Sequence, residues 1–291
     1  DSISTVFDGS GGLNQIGLST GIRKIGKGAQ KNEISFGVSV GYVFGSKDYN
    51  TSTYFINDSV YYYKGKSSST TNMSGVSLLA GLQYQVNAKN GSTWRFGATA
   101  NVQQNLKAKQ TQVCGTFGYN SYGEDYFIDS VNSYQDSIGK VTIPTTLGFG
   151  MTFQSKNKQW LIGADFEKTN WESSYRFYSN NDNVSSNWTL RMGAEYYPIK
   201  SNIVKNKYFN YVKYRAGFYF GPDYLKINDE VRNSYAFTGG ASFPLSTPRS
   251  IQSRGEYVTL NSSIEVGARG KTTSTSFHEG IFRFNLGISM N

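Results

Sequence analysis

Cysteine is nearly absent from this chain. Cys114 stands alone, so no internal disulfide and no cysteine-based metal cluster can form. Histidine is equally scarce, and the single His278 excludes a His-pair zinc site or a second imidazole for catalysis. Proline occurs 5 times against 32 glycines in 291 residues, a balance that suits many close-packed strands with few rigid breaks. No window approaches a twenty-residue apolar helix, and the mean hydropathy is −0.47. That excludes a helical membrane protein but not a β-barrel, whose lumen and loops dilute the average. Runs of lysine and arginine are missing too. The net charge of +9 is scattered along the chain, which argues against a nucleic-acid partner. The chain opens at Asp1 in polar, strand-like sequence without a signal peptide, as expected of a mature or incomplete chain.

What is abundant is aromatic side chain, 22 Tyr and 19 Phe, set in a period of two. In "EISFGVSVGYVFG" (33–45), Ile34, Phe36, Val38, Val40, Tyr42 and Phe44 share one parity. Ser35, Gly37, Ser39, Gly41 and Gly45 share the other, with Val43 as the exception. Such alternation predicts a β-strand with one large apolar face and one nearly bare face. It recurs at 16–22, 76–86, 94–102, 143–153, 160–166, 188–196, 212–220, 235–243, 258–266 and 282–290. About eleven strands result, each long enough to cross a bilayer at a tilt.

The apolar face of these segments carries no charge. The opposite parity holds Arg95, Asp165, Glu167, Arg191, Glu195, Lys213, Arg215, Glu265, Arg269 and Arg283. A soluble sandwich would crowd its polar faces with Lys and Glu, whereas Gly, Ser and Thr dominate here. Lipid therefore contacts the aromatic side, where a Lys or Arg would cost about 2–4 kcal/mol at the midplane. The fold class read from this pattern is all-β, an antiparallel transmembrane β-barrel forming one domain over 1–291. Trp94, Trp160, Tyr84 and Tyr196, near strand ends, suit interfacial girdles.

Connections alternate in length. The turns at 87–93 and 154–159 are short, whereas 46–74, 106–140 and 169–186 are long and carry Tyr and Phe at strand-like spacing, which predicts that the outer strands extend above the membrane as hairpins. Short periplasmic turns and long external loops then place the protein in the bacterial outer membrane with the long connections outside. Those at 198–210, 245–256 and 270–277 fit the rule less well. An odd strand count is also irregular, since single-chain bacterial barrels are even and an open barrel leaves backbone unpaired in lipid. Residues 2–8 are expected to end a twelfth strand, or an N-terminal part is missing.

The stretches "FDGSGGLNQIGLSTGIRKI" (7–25), "IPTTLGFGMTF" (143–153), "WLIGADFEKTNW" (160–171), "VKYRAGFYFGPDYLKIN" (212–228) and the final hairpin (262–291) resemble one family. They look like the FadL-like outer-membrane barrels of Bacteroidetes, relatives of long-chain fatty acid transporters. The resemblance implies a fourteen-stranded barrel with an N-terminal hatch and lateral release of hydrophobic substrates. The hatch and early strands would be missing here. No ligand-contacting residue transfers to a matching position. Relatives of that type also serve as barrel subunits of larger outer-membrane machines.

Among candidate sites the inward charges stand out. Asp165 and Glu167 should lie near Arg191, Glu195 near Lys213 and Arg215, and Glu265 near Arg283, as a wall-bracing ladder or a stripe that orients a carboxylate. Carboxylates beside arginines stay ionised, which suits no general acid. His278 has only Glu279 as a neighbour by type, "GSGG" (9–12) reads as a turn, and Cys114 lies in an external loop. These readings predict no enzyme, cofactor or metal. Passive uptake of small hydrophobic molecules such as fatty acids is the leading function. The alternative is a barrel subunit or scaffold that meets other outer-membrane proteins through its long loops. Outer-membrane lipid is a partner in both.

Overall fold

A computed structural model describes residues 2–26, 31–56, 63–122, 124–178, 182–199, 207–245, 258–272 and 277–290. Its strands are β1 (Ser2–Ile25), β2 (Glu33–Ile56), β3 (Lys64–Asn87), β4 (Thr93–Asn101), β5 (Gln104–Tyr119), β6 (Asp125–Ile143), β7 (Thr146–Gln154) and β8 (Trp160–Thr169). A helical turn α1 (Trp171–Ser174) and the two-residue β9 (Arg176–Phe177) follow. Then come β10 (Asn187–Tyr196), β11 (Lys213–Ile227), β12 (Glu230–Pro244), β13 (Val258–Arg269) and β14 (Glu279–Met290). All fourteen join one antiparallel sheet.

Three of the fourteen are not separate crossings. β5 and β6 continue the hairpin of β4 and β7 in one register, from Thr93↔Gln154 through Gln104↔Ile143. Pro144, which has no N–H to give a ladder, marks the break between β6 and β7. β9 resumes β8 beyond α1 and pairs with β6 at Val141↔Phe177. Setting these three aside leaves eleven crossings, and each segment read from alternation lies on one of them. Among the described residues β1 and β14 each have a strand partner on one side only. Because eleven is odd, the two edges of the sheet run in the same direction.

Several local expectations change. Residues 2–8 are not a twelfth strand; they are the far half of β1, paired with the far half of β2 from Ser2↔Ile56 onward. "GSGG" is no turn either, since Gly9 and Gly12 sit within that ladder opposite Tyr49 and Ser46. Cys114 lies in β5, 3.2 Å from the Ser67 hydroxyl, and not in a loop. The long connections at 46–74 and 106–140 are mostly strand, the hairpin extensions that their aromatic spacing predicted. At about 3.4 Å per residue a 24-residue strand runs roughly 80 Å, far beyond an apolar belt of ten residues. Residues 57–62, and parts of the connections at 198–210, 245–256 and 270–277, lie outside the described residues.

The two faces separate as the parity requires. Leu18, Phe237 and Phe282 are 86%, 63% and 72% exposed, so the apolar parity lies on the open surface of the wall. Residues of the other parity, from Arg23 on β1 to Thr238 on β12, line one shared space of about 1090 Å³. The sheet must therefore curl, with the polar parity on its concave side. Trp94 packs on Phe153 at 4.7 Å and Trp160 on Tyr196 at 4.6 Å, all at the short-turn end.

Val43, the apolar exception on the bare face, has a reason to be there. It joins Met73, Leu106, Ala108 and Val141 in a buried cluster on the concave side, under Tyr175, Phe177 and Tyr178. Leu106 is fully buried against Gly75, where any added Cβ would meet its side chain and backbone. Ile143, read from parity as lipid-facing, instead packs against this cluster, because the break at Pro144 reverses the alternation. The segment after β8 therefore folds over the interior at the hairpin end.

Candidate functional site

The concave face carries the charges, and cross-strand register determines which of them meet. Arg215 on β11 lies opposite Glu195 on β10, and its Nε donates to Glu195 Oε2 at 2.7 Å. Lys213 Nζ is 3.9 Å from the other oxygen of Glu195. From Arg215 the bonding continues across the wall: Nη1 donates to Ser242 Oγ at 2.9 Å, and Ser242 donates to Asn261 Oδ1 at 2.6 Å. Asn261 Nδ2 then reaches Ser289 on the last strand at 3.1 Å. Five consecutive strands, β10 to β14, are thus linked at one level.

A second group sits closer to the hairpin end. Arg191 lies between Asp165 at 3.7 Å and Glu167 at 3.6 Å on β8. Glu265 on β13 accepts from Arg283 Nη1 and from the Tyr219 hydroxyl, each at 3.0 Å. Arg95 is different: its Nε donates to Gln85 Oε1 at 2.8 Å, and no carboxylate pairs with it among the described residues. These side chains are mostly half-exposed, so each pair contributes about 0.2–1 kcal/mol. Every carboxylate in this set has a cation beside it, an arrangement that braces the wall.

Arg269 belongs to a third group that sequence reading missed. It approaches Asp223 at 3.5 Å and Glu279 at 3.7 Å, and Arg232 lies 3.4 Å from Asp223 and 3.5 Å from Glu279. Asp223 and Arg232 are buried. Both lie where β11 and β12 run on past the apolar belt. A signal for that extension existed in "INDE" (227–230). Asn228 and Asp229 have φ of 51° and 63°, a two-residue hairpin turn that asks for positive φ at both positions. Arg23 and Glu33, which close the β1–β2 hairpin with an Nε contact of 3.0 Å, were missed because they lie at strand ends.

Above these charges the segment after β8 spans the interior. Lys226 Nζ meets Glu172 at 2.8 Å, Trp171 stacks on Tyr224 at 5.2 Å, and Lys47 lies 4.7 Å over the Phe177 ring. Burial, and then the nearby Asp182 carboxylate, push the Tyr175 hydroxyl up to about 12. Further out, burial works against the Lys64 ammonium, but its bonds to Asp125, at 2.6 Å, and Tyr54 prevail and raise its pKa. Paired charges below and a packed aromatic strap above leave this interior polar and braced.

No curated protein matches the sequence. The comparison with family models corrects the FadL-like resemblance. The stretches that suggested it are alternating strands of a kind any outer-membrane barrel carries, and a distinct family matches over residues 1–291. The fatty-acid transporter features that the resemblance implied lose their basis with it. That match and the all-β antiparallel sheet are consistent with an outer-membrane location and with a role related to barrel assembly. The chain belongs to the BamG family.

Proposed function

We propose that this protein is a barrel subunit of a larger outer-membrane complex that acts in the assembly of other outer-membrane proteins. The observation that carries the reading is the family match along the whole chain. The interior supports it as well. Ion pairs and an aromatic strap occupy a space that a conduit for hydrophobic molecules would line with apolar side chains. The protein acts by holding partners, without catalysis, cofactor or metal. The charges at Arg95, Asp165, Glu167, Arg191, Glu195, Lys213, Arg215, Glu265, Arg269 and Arg283 brace the wall from inside.

In this reading the long hairpins of β1–β2–β3 and β5–β6 face the cell exterior and meet partner proteins. They expose Tyr122, Val131 and Ile138 at 89%, 82% and 85%, and aromatic and apolar anchors of this kind dominate protein interfaces. The test is gentle extraction of the tagged full-length protein, with depletion in parallel. Stable recovery of other envelope proteins, and a fall in newly folded outer-membrane barrels on depletion, are expected. Recovery of a solitary barrel, with barrel assembly intact after depletion, would overturn the proposal.

A further inference from the structure

The outer surface just beyond the apolar belt holds an arrangement that the bracing role does not explain. On the lipid-facing parity Phe44 ends the unbroken run of large apolar residues of β2, and it lies opposite Ser74 of β3. Ser74 lies opposite Lys107 of β5, and Lys107 lies opposite Lys140 of β6. Two ammonium groups thus face each other across an antiparallel pair, an arrangement that destabilises a sheet unless an anion lies between them. Among the described residues neither lysine has a carboxylate partner.

Neighbouring residues extend the same positive field. Asn105 and Thr142, one step toward the belt, share this face and bond to each other at 3.0 Å. Arg176 on β9 lies opposite Thr142, and so shares the face of Thr142 and Lys140. Arg176 Nη1 donates to the carbonyls of Glu172 and Tyr175, at 3.3 and 2.5 Å. Lys109, one step away from the belt, is neutralised by Asp136 at 2.9 Å. Beside the lysines a hollow of about 710 Å³ is lined by Lys107, Lys109, Asp48, Ser46, Asn72 and Phe44. Asp48 and Asp136 are the carboxylates near it, so the patch keeps an excess of positive charge.

We propose that Lys107, Lys140 and Arg176 hold the phosphate of a membrane-lipid headgroup in the leaflet on the hairpin side. The location points to a lipid. The charges start where the apolar belt stops, and a lipid anchored by its chains along Phe44 and Val76 brings its phosphate to this height. Ammonium and guanidinium groups are strong donors to phosphate oxygens, and serine and asparagine hydrogen-bond the remaining headgroup atoms. A bound phosphate also removes the repulsion between the paired lysines, so the site gains from occupancy twice. This inference rests on the outer-membrane reading.

The test uses the full chain in nanodiscs of phosphatidylcholine with a small fraction of phosphatidic acid, read by native mass spectrometry of retained lipid. Wild-type protein is expected to keep phosphatidic acid selectively. The K107Q/K140Q/R176Q variant should hold it on the order of 100-fold more weakly, at about 1 kcal/mol for each basic group at a charged surface. Heat-modified gel mobility verifies that the variant is folded, and K109Q, which removes an already paired cation, should change retention little. Equal retention by wild type and triple variant would overturn the proposal while leaving the membrane reading intact. Displacement by millimolar inorganic phosphate alone would also overturn it, by showing a soluble anion to be the ligand. Failure of the wild type to enter nanodiscs would defeat the membrane reading itself.

Discussion

Val38 and Ser39 are adjacent residues on opposite faces of β2, and the same substitution at each measures what lies on either side. Val38 sits mid-belt between Thr20 of β1 and Ala80 of β3. Arginine there puts a guanidinium into hydrocarbon at a cost of about 2–4 kcal/mol. Ser39 faces the concave side, where it accepts a bond from Ser19 Oγ at 2.9 Å. Ser39→Arg loses that bond, worth about 1 kcal/mol, but its charge faces the polar interior and not hydrocarbon. The predicted gap is therefore about 1–3 kcal/mol in favour of Ser39→Arg. Unfolding by urea from lipid vesicles, followed by heat-modified gel mobility, reads it directly. Equal destabilisation, or the greater loss at Ser39, would refute the assignment of the two faces.

Other substitutions probe the interior and the turns. Leu106→Ala empties the centre of the buried cluster and should cost about 2–5 kcal/mol in the same assay. Glu195→Ala leaves Arg215 and Lys213 without their shared carboxylate, and should cost about 1 kcal/mol and show reduced sensitivity to salt. At the β11–β12 turn Asp229→Gly should be near neutral, whereas Asp229→Val forces a β-branched residue to positive φ and should cost about 1–2 kcal/mol. The aromatic strap should respond to alkali. Tyr175 titrates near 12 in the folded protein against about 10 unfolded, so its stabilising effect is full below pH 10 and lost as pH rises towards 12. Hydrogen exchange at 170–178 should therefore quicken over that window in wild type, and Tyr175→Phe should shift or abolish the change.

The belt was legible because lipid imposes a strict rule on it. A charge on the wrong parity is costly, so alternation survives in every crossing from β1 to β14. Beyond the belt no solvent imposes that contrast: the strand-like spacing of Tyr and Phe announced that the outer strands extend, but Ser, Thr and Asn on both faces concealed how far β2, β3, β5 and β6 run. The inward charge pairs followed from parity plus neighbour order wherever both partners lay inside the belt, as with Glu195 and Arg215. Asp223 and Arg232 lay past it and were invisible to the same reasoning. Val43 and Ile143 misled for a different reason. The first belongs to a cluster completed by residues more than a hundred positions away, and the second follows a break in register at Pro144. The family was not legible at all, since alternating strands look alike in any barrel.

Depletion of this protein in its native host, with the newly made outer-membrane barrels followed in a pulse-chase, tests the central claim most directly. A subunit in barrel assembly predicts that folded, heat-modifiable barrels of several unrelated kinds fall together, before any change in the uptake of fatty acids. Undiminished barrel folding with a selective loss of hydrophobic-molecule uptake would contradict the account.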